Sequence, residues 1–153
     1  MNTAEEQVMV GFKVVPPKQR QNFYPSLVAS MRWMMVLENS YYGLLERNCQ
    51  SYRGGYFDFI EYPNGAKAPS LDMTSDEKVE VISQNNFFHG EMRMHSLATA
   101  GFAIICNHLA HHTAVNDPKT SEKMTKNWQL LMEVLMTHEI FEEDRDAIIQ
   151  FLD

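Results

Sequence analysis

The chain has 153 residues, 44% of them hydrophobic and 11% aromatic, with 20 acidic against 13 basic side chains and a formal charge of −7. That length and apolar content suit one domain with a sizeable core and exclude wholesale disorder. The acidic balance argues against a general nucleic-acid binder, which gathers Lys and Arg on one face.

Residues 1–17 read as an extended or partly flexible leader, in which 8–15 could supply a short edge strand. Glu5 and Glu6 stand where a signal peptide would be basic. No apolar run approaches the roughly 20 residues that span a bilayer. Cys49 and Cys106 give no disulfide framework and fit a reducing compartment, so the expected setting is the cytoplasm. Pro16 and Pro17 stop any helix and open a single domain over 18–153.

Residues 18–24 leave room for a helical turn before Pro25. The stretch 26–35, SLVASMRWMM, fits strand or helix, and its methionines with Trp33 read as adaptable core filling. The main helix is expected over 36–52, with Leu37, Tyr41, Leu44, Leu45 and Asn48 on one face. Gly54 and Gly55 end it by supplying a left-handed cap. YFDFIEY at 56–62 is a strand, with Phe57 and Phe59 alternating against Asp58. Asn64-Gly65 is a hairpin signal, because both residues tolerate positive φ. A second strand follows over 66–73, kept to an edge by Pro69. KVEVIS at 78–83 makes a third, with Val79 and Val81 inward, and an antiparallel meander is the simplest topology.

HGEMRMH at 89–95 suits another strand or the start of a helix. Ser96 is the expected cap of a helix over 97–112, whose apolar face is Leu97, Gly101, Ile104, Ile105 and Leu109. Asn116-Asp117-Pro118 breaks the chain. Ser121 then caps a helix to 138, where Met124, Trp128, Leu131 and Leu135 form a core stripe. A short helix over 144–152 ends the chain. The sum is an α+β single domain: a small antiparallel sheet of three to four strands with about four helices packed against it.

Candidate chemistry is sparse. His108, His111 and His112 stand at i, i+3 and i, i+4 on one helix, so a transition metal could be shared by two of them. Leu109 and Ala110 occupy the positions where zinc hydrolases carry a glutamate base, and solvent-facing histidines are the simpler reading. Cys49 and Cys106 have no local base and read as structural thiols. Gly54-Gly55 is no phosphate loop, since it lacks the Lys and Ser/Thr and precedes a strand. No catalytic residue and no cofactor is expected.

Glu38 and Tyr42 are i, i+4 neighbours able to hydrogen-bond. With Arg47 they form either an internal network or, together with Tyr52 and Tyr56, a patch for a protein partner, because Tyr and Arg are favoured at hot spots. The run HEIFEEDRDAIIQFLD adds Glu142, Glu143, Asp144 and Asp146, a solvated face that could also meet a basic protein surface.

The stretch from Asn22 to Pro69 resembles the ArdB/KlcA family of antirestriction proteins, found on plasmids and other mobile elements. An Asn-Phe-x-Pro segment (Asn22, Phe23, Pro25) precedes a helix bearing Glu38, Tyr42, Gly43 and Arg47. Cys49, Tyr52, Gly54, Gly55, Tyr56 and Phe57 follow, then Asn64, Gly65, Ala68 and Pro69. Phe57 stands where the family often has Trp, and the segment between the Asn-Gly turn and Ala-Pro is shortened. The resemblance implies a non-enzymatic inhibitor that relieves type I restriction-modification of incoming plasmid or phage DNA. Its partner would be the restriction complex or an associated host protein, with no sequence-specific nucleic-acid binding and no membrane. Wholesale DNA mimicry fits poorly: duplex DNA carries about one charge per 1.7 Å of axis, whereas here the acids are interspersed with bases. Two other classes stay open: a small metal-dependent enzyme built on the three histidines, and a generic interaction module of a mobile element.

Overall fold

The computed structural model describes residues 12–153, so most of the expected leader, 1–11, lies outside the described residues. In chain order the elements are β1 (Lys13–Val14), a 3-10 segment (Pro17–Asn22), α1 (Phe23–Leu27), α2 (Met31–Asn48), β2 (Asp58–Glu61) and β3 (Lys67–Ser70). After them come β4 (Lys78–Ile82), β5 (His89–Arg93), α3 (Met94–Thr113), α4 (Pro118–Thr137), a second 3-10 segment (Glu139–Asp144) and α5 (Arg145–Leu152). The α+β class holds.

The strands divide into two antiparallel sheets instead of one meander: β1-β2-β3 and β4-β5. In the first, Phe59 faces Pro69 and Ile60 faces Ala68. Pro69 sits on an edge strand, as its missing N–H requires. The free edge of β3 is closed by a side chain. Asn127 of α4 accepts from Lys67 N at 2.9 Å and donates to Lys67 O at 2.8 Å, replacing a neighbouring strand for one residue. The turn before β3 is also tied to α4, because Asn64 accepts from Ala66 N and donates to Leu130 O, both at 3.0 Å. Gly65 takes φ +93° there, as an Asn-Gly turn demands.

α2 starts five residues earlier than its periodicity suggests and stops at Asn48. Ser30 caps it, accepting from Trp33 N. At the other end Cys49 is extended, and Asn48 Nδ2 returns to Leu44 O at 2.7 Å to satisfy a terminal carbonyl. Gly54 and Gly55, with φ of +79° and +149°, therefore shape the loop beyond the helix and do not cap it. That loop shortens the strand to Asp58–Glu61.

α3 is the central element, buried on nearly all sides, with Leu97, Ala98, Ala100, Phe102 and Ala103 wholly enclosed. Each large apolar side chain so enclosed contributes about 1.5–3 kcal/mol. Its small residues let α2 approach: a Cβ at Gly101 would come to 2.9 Å from Leu44 Cδ2. Tyr41 of α2, fully buried, donates to Ala98 O at 3.0 Å. The helix begins at Met94 directly after β5, so Ser96 lies inside it and is not its cap. Asp117, not Ser121, caps α4 by accepting from Thr120 N, with Pro118 in the first turn where no N–H is needed. Ser121 instead donates to Ala110 O at 2.6 Å.

Candidate functional site

The Gly54-Gly55 loop folds the chain back so that Tyr56 and Phe57 meet α2. The Phe57 ring packs against Tyr41 at 5.8 Å and Tyr42 at 5.3 Å. Tyr42 Oη in turn donates to Glu38 Oε1 at 3.4 Å, the i, i+4 pair expected from the sequence. Tyr56 remains 75% exposed. What organises this surface is Arg20, from the first 3-10 segment. Its Nη2 donates to Phe57 O at 2.7 Å, and its guanidinium lies 4.5 Å from the Tyr56 ring centroid and 4.4 Å from that of Phe59. Below it Phe59 stacks on Phe23 at 4.3 Å with 9° between the planes, and Tyr24 meets both edge-on.

The patch thus joins an exposed aromatic, a cation held over it, and a half-buried Tyr–Glu pair. Burial, aided by the neighbouring Glu38 carboxylate, raises the Tyr42 hydroxyl pKa, and burial likewise raises that of Tyr52, so both stay protonated near neutral pH. Tyr52 lies within electrostatic reach of Tyr42 and Glu46. Sequence reasoning missed Arg20 because it sits 37 residues from its hydrogen-bond partner and shows no periodic signal. The aromatic pair that follows it, Phe23-Tyr24, was the available hint.

The other candidates are placed elsewhere. Arg47 is exposed and lines a cleft beside Asn48 and His108. Glu142, Glu143 and Asp146 are exposed, but Asp144 is buried and takes no part in an outward acidic face. Ser96 Oγ donates to Asp144 Oδ2 at 2.6 Å and Arg93 Nε donates to the same oxygen at 2.8 Å. Lys78 Nζ is 3.8 Å from the other oxygen. Burial alone would raise the carboxyl pKa, but these hydrogen bonds and the Arg93 charge outweigh it and hold the group below the usual carboxylate range.

His108, His111 and His112 are all exposed, with His112 edge-on to Trp33 at 5.6 Å. Among the described residues no three His, Cys, Asp or Glu side chains are grouped to hold a metal ion. Both cysteines are buried. Burial pushes the Cys106 thiol up to about 12, against a small opposing effect of Asn127, which leaves no thiolate for nucleophilic chemistry.

No family model matches the chain. It is 26% identical over 139 residues to the uncharacterized protein YafX of Escherichia coli K12, covering 91% of this chain and 85% of that protein. YfjX of the same strain, also uncharacterized, is 24% identical over the same shares. A solved structure of the KlcA and ArdB proteins superposes with a TM-score of 0.74 at 21% identity, covering 93% of this chain and 94% of that one. The chain has the KlcA/ArdB fold. The resemblance carried by residues 22–69 thus extends, as a fold, through the helical second half. The KlcA and ArdB structures are described as a novel fold with antirestriction activity against type I DNA restriction systems in vivo but not in vitro. Among the described residues, no helix of this KlcA/ArdB-like chain is long and apolar enough to cross a membrane.

Proposed function

We propose that this protein relieves type I restriction of incoming plasmid or phage DNA, as a non-enzymatic inhibitor acting in the cytoplasm. The observation that carries the reading is the KlcA/ArdB fold over 93% of the chain. Its target is the restriction machinery, reached directly or through a host protein; the in vivo restriction of activity among its structural neighbours favours a cellular component in addition to the purified enzyme. The contact is protein to protein and not DNA mimicry, since 13 basic side chains interrupt the 20 acids. The Arg20–Tyr56–Tyr42 patch is the preferred contact surface, because an exposed Tyr beside a half-buried Arg and Tyr on a packed base has the composition of interface hot spots.

The test is phage plating on a type I restricting host, with and without the protein, beside a non-restricting host. Restored plating confined to the restricting host is the expected result. Unchanged restriction in cells that accumulate the folded protein refutes the proposal.

A further inference from the structure

We propose that the cleft beside the C-terminal end of α2 binds a carboxylate carried on an apolar body. It is a cavity of about 220 Å³ between α2, the β4–β5 loop, α3 and α5. Its polar wall is Arg47, Asn48, Ser83, Gln84, Asn85 and His108, and its apolar wall includes Ile104, Ile105 and Phe151. In a chain with an excess of acids, no carboxylate lines this lobe. The adjoining lobe, about 300 Å³, does carry Asp153, together with Trp128 and Met132.

The Arg47 side chain makes no ion pair or hydrogen bond with another described residue. Its guanidinium lies over Gly43, where even an added Cβ would stand 3.0 Å from Nη1, so glycine provides the room for the charge at that place. Asn48 uses one Nδ2 hydrogen on Leu44 O, and its second is the one able to donate to a carboxylate. A planar guanidinium recognises a carboxylate through two parallel hydrogen bonds. One cation matches one negative charge; a phosphate dianion would need more, in a protein already at −7. The apolar wall supplies the complementary requirement, since Ile104 is only half-buried and a fully polar anion would leave it wetted.

This inference is independent of restriction relief and is tested on the purified full chain. Backbone amide NMR shifts are followed while N-acetyl-phenylalanine, its uncharged amide, or inorganic phosphate is added. Saturable shifts confined to the cleft, at Asn85 and His108 among others, are expected for the carboxylate. Arg47→Gln should weaken that binding by about tenfold or more, the loss of a hydrogen bond to a charged group, with the remaining spectrum unchanged. Equal binding of the amide, tighter binding of phosphate, or no saturable shift with the carboxylate would each overturn the assignment.

Discussion

Two charged clusters in this protein use the same chemistry to opposite ends. Around Asp144, one carboxylate is held by Arg93, Ser96 and Lys78 inside the molecule, with the aspartate itself 1% exposed. Around Arg20, a guanidinium lies over aromatic rings at the surface and leaves Tyr56 open to solvent. The first joins the second 3-10 segment to β5 and α3; the second closes a loop on α2 but spends little of its surface on the core. In a desolvated cluster each group depends on the others, because a lone buried charge is costly. At the surface, water replaces a lost partner, so the residues are free to serve recognition.

The sharpest way to break the comparison is Asp144→Ala. Removing the carboxylate leaves the largely buried Arg93 with only the Ile140 carbonyl and the exposed Glu143, 3.9 Å away, as partners, and a loss at the lower end of about 3–5 kcal/mol is expected, read from chemical denaturation. A loss under about 1 kcal/mol would mean that the interior cluster behaves like the surface one.

A pH series is the second probe. His95, buried next to Arg93, has its pKa lowered chiefly by burial, against the opposing effect of Ile140 O, which accepts from Nε2 at 3.4 Å. The unfolded chain therefore binds the extra proton first, near the ordinary value of about 6.5. Stability is full above that pH and falls as the pH drops through and below it. Asp144, whose folded pKa is also depressed, adds a second loss only at more acidic pH, below the ordinary carboxylate value of about 4. His95→Phe should flatten the upper part of the profile; an unchanged slope there would assign it to another group.

The smallest stability effect is expected at the surface. Tyr56→Ala should change the unfolding free energy by no more than about 0.5 kcal/mol yet reduce plating on the restricting host. Folded variant with full restriction relief would remove Tyr56 from the contact surface. The same variant with a large stability loss would erase the distinction between the two clusters.

The sequence by itself determined the elements whose signals are local. The Asn64-Gly65 turn, the edge position of Pro69, the α4 stripe through Leu131 and Leu135 and the Glu38–Tyr42 pair all depend on neighbours within a few residues. The conservative readings of Cys49 and Cys106 belong with them. Tertiary structure decided what needed distant partners. KVEVIS pairs with β5 and not with β3, because a strand pattern specifies a face but not a neighbour. Ser96 has the residue type of a cap, yet β5 runs straight into α3 and its hydroxyl is taken by Asp144, 48 residues away. Asp144 itself reads as one more acid in a solvated run until Arg93 folds over it. Arg20 and Arg47 show no sign in sequence of the ring face and the cleft they occupy, since the rings of Tyr56 and Phe59 and the walls from α3, α5 and the β4–β5 loop come from distant parts of the chain.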